Sequence, residues 1–578
     1  MIKIASVARG EIPADLVIHN AKIANVYTLE YEFGDVAVCS GKIAGIGEHY
    51  DGIINFDAQG KVLIPGMIDG HVHIEDTMMT PQAFAEAVAV RGTTAVMADP
   101  HEISNALGLS GLEYMFRASQ GLPIDIFYGA PSCVPASDFE TPYEPIDMTT
   151  IKIMFDKNLV QHLGEMMNFP AVINGDAEAW GKILAAGNVP LTGHAPNVSG
   201  KNLNAYLSSG VSSDHECNEI SEAREKLKRG MWIMIREGAS FPNLKTLLPL
   251  IHENPLNASR CMAVSDDITA RYLIEKGHMD EKIRIMVKDG LNPFIALRLV
   301  TLSPAEYFRL YDRGGIAPGK IADFSLLESD VIDENFKIRY VWKNGRQTVR
   351  DGEVYDISDN ETTQHIAPVM KTAVKKIPSL EQLKVKYQPD KNINVIGINE
   401  RSILTTTLQM KPKVDYDGFA VPDIENDVAK IVVLERHRDT GAFGVGFVKG
   451  FGIKRGAVGS SVAHDAHNFV VIGTDDLSIQ TALKSLAKMG GGLTVCDEER
   501  ILQEFALPIG GLMSYLTPAE VSRELEKMEN AASNIGIKTA HPFMVMSFLC
   551  LTVIPELRIT DQGYVDITKG YIQEIFVR

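Results

Sequence analysis

Eight short apolar runs alternate with stretches of helical character in one continuous segment, and few folds can absorb that pattern. The runs lie at 67–74, 93–98, 124–130, 159–163, 189–193, 211–214, 231–235 and 262–265, each short enough for a buried strand. Between them, 81–91, 177–186, 218–229 and 270–277 space their apolar and charged residues as amphipathic helices do. Parallel strands need crossover connections, and eight such units in a row predict an α/β fold, a TIM-like (β/α)8 barrel. Barrels of this kind carry their chemistry on the loops that follow the strand C-termini.

Polar residues gather at those ends. Strand one finishes Asp69-Gly70-His71-Val72-His73, and side chains two apart on a strand share a face, so two imidazoles project together. Strand two runs into Asp99-Pro100-His101-Glu102, and strand four ends in Gly164-Glu165. Strands five and six end in Gly193-His194 and Asp214-His215-Glu216. Strand seven ends in Arg236-Glu237-Gly238 and strand eight in Ser265-Asp266-Asp267. Any one of these histidines, taken singly, is an ordinary core or surface residue. Four histidines and two acids at the ends of five strands of one barrel are poorly explained that way.

Four imidazoles and two carboxylates exceed the needs of one tetrahedral ion and suit two divalent ions bridged by a carboxylate. His71 and His73 would hold one ion and His194 and His215 the other, with Glu165 between them. The donor set lacks thiolate, so zinc, manganese and iron all remain open. Asp266 is the expected metal-side proton acceptor, and Asp267, one residue on, is the alternative. Asp214 and Glu216 flank His215 and are expected to orient it. His101, Glu102, Arg236 and Glu237 share the barrel face and are candidates for reading the substrate. The chemistry that follows is metal-assisted hydrolysis at an electrophilic carbon.

The rest of the chain narrows the class. At 578 residues it is too long for one ordinary core. It has no apolar run of about 18 residues that would span a bilayer, and Met1-Ile2-Lys3-Ile4-Ala5 does not begin a secretory signal. Six cysteines without disulfide-like spacing suggest a cytoplasmic protein with free thiols. A net charge of −18 disfavours nucleic acid and anionic membranes as partners. Strand-like pieces at 15–19, 35–38 and 42–46 return at 321–327 and 338–345, which predicts a small β-sandwich domain assembled from both flanks. Beyond a lysine-rich connector at 371–386, strands at 430–434, 469–472 and 492–495 mix with a helix opening at Thr517-Pro518-Ala519-Glu520. The expected division is 1–62 and 311–370 for the sandwich, 63–310 for the barrel and 371–578 for a C-terminal α+β domain.

The stretch Pro65-Gly66-Met67-Ile68-Asp69-Gly70-His71-Val72-His73, the single histidines after strands five and six, and the Asp after strand eight resemble the amidohydrolase superfamily. Asp99-Pro100-His101-Glu102-Ile103, Gly164-Glu165-Met166-Met167-Asn168, Asp214-His215-Glu216 and Arg236-Glu237-Gly238 resemble the bacterial-type adenine deaminases more closely. The similarity continues through Ser461-Val462-Ala463-His464-Asp465-Ala466-His467-Asn468 and Pro542-Phe543-Met544, so it spans nearly the whole chain.

The resemblance implies conversion of adenine and water to hypoxanthine and ammonia, in purine salvage. It also implies two divalent ions, usually manganese or iron, bridged by a glutamate where many relatives use a modified lysine. The small molecule adenine is then the expected partner, and a homo-oligomer, a dimer, the expected assembly. The resemblance assigns no task to His464, Asp465 and His467. They could cover the active-site mouth or bind another ion, and a structural turn or subunit contact explains them equally well. The unrelated zinc deaminases need a Cys-x-x-Cys that this chain lacks. Opening of a cyclic amide, or N-acyl hydrolysis, uses the same ligand set and stays open on the ligands alone. A non-catalytic scaffold would be expected to lose ligands, and every expected position is filled.

Overall fold

Eight parallel strands form the central barrel: Met67–His73, Thr93–Ala98, Asp125–Ala130, His162–Met166, Leu191–Gly193, Ser213–Asp214, Trp232–Arg236 and Cys261–Val264. The computed structural model describes residues 2–47, 49–239, 242–355, 374–399, 404–539 and 541–577. The expected boundary at 370 and the start of the lysine-rich connector lie outside these. Strands one to five pair in sequence, as do six to eight. The ring closes where Ser212 N donates to Leu191 O at 3.1 Å. It closes again where Asp266 and Asp267 pair in parallel with Val72 and His73. That second closure sets the residues after strand eight beside the His-x-His end of strand one. The apolar strand residues are mostly Val, Ile, Met and Ala and nearly all are buried, as a parallel sheet wrapped by helices requires.

Strand four differs from its sequence expectation. The apolar pair Leu159-Val160 closes the preceding helix, Met148–Asp156, through Leu159 N to Met154 O, and the strand starts only at His162. Glu165 therefore sits inside the strand instead of after it.

The two flanks meet in one nine-stranded sheet. Val62–Pro65 pairs in parallel with Ala14–Asn25 and antiparallel with Phe324–Leu327. Residues 63–65 thus belong to this sheet, and the barrel starts at Met67. Leu16, Ile18, Ile23, Val36, Phe324 and Trp342 form its core.

The C-terminal part is built on a second nine-stranded sheet backed by helix Asp476–Met489. Its helix Pro518–Asn534 opens with a capping box, in which Thr517 Oγ1 accepts from Glu520 N and Glu520 Oε2 accepts from Thr517 N. This domain lies over the barrel mouth. Asn468 Nδ2 donates to Thr141 O, in the loop after strand three, at 3.1 Å. Ser514 N donates to Met78 O, in the loop after strand one, at 2.9 Å.

Candidate active site

Glu165 stands where the two groups of imidazoles meet. Its Oε1 lies 3.3 Å from His73 Nε2 and 3.8 Å from His71 Nε2. Its Oε2 lies 3.0 Å from His194 Nδ1 and 3.3 Å from His215 Nε2. Asp266 Oδ1 completes the first group at 3.3 Å from both His71 Nε2 and His73 Nε2. The two nitrogens of the second group are 3.3 Å apart. Ligands about 2.1 Å from one cation stand about 3.0 to 3.4 Å from each other, so these separations suit a shared coordination centre. His71 Nε2 makes no hydrogen bond despite its carboxylate neighbours, as expected of an atom aimed at a common point. The residues present therefore fit a divalent metal.

Backbone contacts fix how each ligand is presented. His73 Nδ1 lies 3.1 Å from Asp99 O, a contact that puts the proton on Nδ1 and leaves the Nε2 lone pair facing the cage. Asp99 Oδ2 accepts from Glu165 N at 2.7 Å and so holds strand four against strand two. Asp69 Oδ1 accepts from both His71 N (3.2 Å) and Ser265 N (3.0 Å), tying strand one to strand eight beneath the cage. Sequence reasoning gave neither Asp99 nor Asp69 a role, although both sit beside the quoted motifs.

Charge follows from this crowding. Burial opposes protonation of His215, but Asp266 and Glu165 outweigh it and push the imidazole up to about 10. His73 is likewise held well above its usual range against burial, by Asp266 and Glu165. Burial works against ionisation of Glu165 and Asp266 too, and the imidazoles around them keep both well below the usual carboxylate range. A cage that draws protons this strongly is also one that a cation can neutralise.

Other expected residues divide. Arg236 Nη1 bridges Glu216 Oε1 (2.6 Å) and Asp266 Oδ2 (2.8 Å) at the chamber wall. Glu216 faces His194 and His215 at 3.6 and 3.5 Å. His101 and Glu102, in the first turn of helix His101–Ala118, also line the chamber, with His101 Nδ1 3.6 Å from Glu165 Oε1. Asp267 lines it beyond Asp266, so that Asp266 is the member of the pair in contact with the cage.

Two expectations need correction. Asp214 does not orient His215; it accepts from Ala195 N (2.7 Å) and Lys226 Nζ (2.9 Å), because the strand turns its carboxylate toward the following helix. Glu237 is absent from the chamber wall, and the lysine charges that act on it are those of Lys282 and Lys245. Alternation along strand seven turns it away when Arg236 points in.

The C-terminal domain supplies the opposite wall through His464, Asp465, Phe548, Leu551 and Ile554. His464 Nδ1 lies 3.2 Å from Glu102 Oε1, and its ring stacks on Phe548 with centroids 5.1 Å apart. Of these, sequence reasoning singled out only His464 and Asp465, and it left their task open.

A closed barrel with this histidine–carboxylate cage defines a metal-dependent hydrolase of the amidohydrolase kind. The amidohydrolase family model matches residues 62–353, and the adenine deaminase C-terminal domain model matches 402–570. An adenine deaminase of Desulfatibacillum aliphaticivorans is 42% identical over 99% of both chains. Adenine deaminase 2 of Carboxydothermus hydrogenoformans is 42% identical over 98% of this chain and 97% of that one. The adenine deaminase of Ligilactobacillus salivarius is 39% identical over 99% of this chain and 98% of its own. Among solved structures, L-hydantoinase of Arthrobacter aurescens is similar with a TM-score of 0.45 and 16% identity, covering 59% of this chain and 97% of that one. A likeness that loose adds nothing to the assignment. The chain belongs to the adenine deaminase family.

Proposed function

We propose that this chain hydrolyses adenine at C6, giving hypoxanthine and ammonia, with two divalent cations held by His71, His73, Glu165, His194, His215 and Asp266. The meeting of two sets of ligand atoms on the two oxygens of Glu165 supports the dinuclear cage, and the likeness to adenine deaminases over nearly the whole chain carries adenine as its substrate. Manganese or iron suits this nitrogen and oxygen donor set, and zinc is chemically compatible with it. Bound there, the cations would lower the pKa of water enough to supply hydroxide at neutral pH.

The chain's own residues do the rest. Asp266 is ionised, and Arg236 anchors its Oδ2 while Oδ1 faces the cage, so it can take a proton from water and return it to the departing amine. The C6–N bond breaks and a C6–O bond forms. One proton of water leaves in ammonia, and the other stays on the purine ring. Phe548, Leu551 and Ile554 offer an apolar wall against a flat heterocycle and keep bulk water away. A cytoplasmic site suits six cysteines that are all free and buried, and no helix among the described residues is long and apolar enough to cross a membrane.

The test is a substrate panel on manganese-loaded protein: adenine, guanine, cytosine, adenosine and a cyclic amide, followed by ammonia release. Turnover of adenine alone supports the reading. Cleavage of the cyclic amide with silence on adenine overturns the substrate while retaining the cage.

A further inference from the structure

We propose that Asp465, carried over the barrel mouth by the C-terminal domain, accepts the imidazole N–H of the purine, so that the site takes the free base and rejects N-substituted purines. The inference rests on adenine as substrate. Asp465 is 3% exposed and lines the chamber. Its Oδ1 stands 3.7 Å from His101 Nε2, beyond hydrogen-bond range, and its Oδ2 has no partner at all. A buried carboxylate oxygen left bare carries its full desolvation cost, which a donor arriving with the ligand removes.

The loop around it is tied down. Ala463 N donates to His467 Nδ1 at 3.2 Å, and His437 Nε2 lies 2.6 Å from Ala466 O. Arg436 Nε bonds His467 O, and Asn468 holds Thr141. The residues on either side of Asp465 are anchored, while its own carboxylate faces the chamber. That is the rigid presentation a recognition group needs.

The chemistry of the ligand then picks the contact. On adenine's rings N1, N3 and one imidazole nitrogen present lone pairs, which repel a carboxylate. Only the amino group and the other imidazole nitrogen donate, and the amino group must face the cage. Asp465 and Glu165 stand on opposite sides of the His101 ring, which places the acceptor away from the reacting carbon. Of the other carboxylates in the wall, Glu216 and Asp266 pair with Arg236, Glu102 sets Oε1 3.2 Å from His464 Nδ1 with Oε2 outside hydrogen-bond range of His467, and Asp267 lies beyond Asp266.

The experiment compares adenine, 7-methyladenine and 9-methyladenine on the manganese-loaded wild type and on Asp465→Asn, with hypoxanthine binding measured by calorimetry. Both methylated bases lack the N–H, and the wild type is expected to turn them over with kcat/KM lower by about 100-fold or more. Asp465→Asn is expected to raise KM for adenine and Kd for hypoxanthine by about 10- to 100-fold, and to narrow the gap between adenine and its methyl derivatives. A wild type that accepts either methylated base within about threefold of adenine overturns the proposal without requiring any variant to fold. An Asp465→Asn protein with unchanged KM and unchanged hypoxanthine affinity overturns it too. A wild type silent on adenine itself overturns the proposed function, and this inference with it; that result is recognisable before any variant is made.

Discussion

Glu165 sends one oxygen to each set of imidazoles, and Asp266 joins the first set while Arg236 holds its outer oxygen. If Asp266 moves the proton, Asp266→Asn should lower kcat by about 100- to 10,000-fold with both metals retained. Unchanged turnover with full metal content would contradict that role. Glu140 offers an independent residue-level test. It is buried in the loop after strand three, where Oε1 accepts from Ala136 N and Thr552 Oγ1. Burial, and then the charge of Asp465, push it up to about 8 from an ordinary value near 4.5. Its contribution to stability is therefore fully present below about pH 4.5 and is lost as pH rises through about 8. The Tm of the wild type should fall relative to that of Glu140→Gln between pH 5 and pH 9, read by calorimetry; parallel curves would contradict the shift. The convergence of His71, His73, Glu165, His194, His215 and Asp266 was legible because strand alternation and barrel topology dictate where such side chains point. Asp214 and Glu237 were misjudged because adjacency in sequence does not say which face a side chain takes. Asp465 lacked a role in the sequence because its neighbour His101 comes from the barrel.

Strand four shows how an element sets the site. Gly164 precedes Glu165, and a Cβ there would stand 2.5 Å from Asp99 Oδ2 and 2.9 Å from Ala130 O. Asp99 Oδ2 is also the acceptor for Glu165 N. Gly164→Ala should displace that carboxylate, lower the metal bound per chain and cut turnover by more than about tenfold, with the far-ultraviolet spectrum retained. Two metals and wild-type turnover would contradict this coupling. The strand's existence was legible in its apolar run, but its start was not. Leu159 and Val160 are as apolar as strand residues, and only the bond from Leu159 N to Met154 O assigns Leu159 to the helix end. The capping box at Thr517 was legible because it is wholly local.

At the scale of the molecule, the barrel supplies the cage and the C-terminal domain the wall facing it. The barrel could be read from periodicity, since each βα unit is local. The closure over its mouth could not, because contacts such as Asn468 to Thr141 join distant parts of the chain. Metal loading should displace protons from the cage, where His215 is pushed up to about 10 by Asp266 and Glu165 against burial, so bound metal should fall as the solution is acidified. Metal content constant from neutral pH to about pH 5 would contradict that competition. The most direct test of the shared cage is titration of metal-free protein with manganese while adenine turnover is followed. Activity should rise to a plateau at two ions per chain, and both Glu165→Gln and His215→Asn should lower that stoichiometry. A plateau at one ion, or adenine turnover without added metal in the presence of a chelator, would contradict the dinuclear reading of the site.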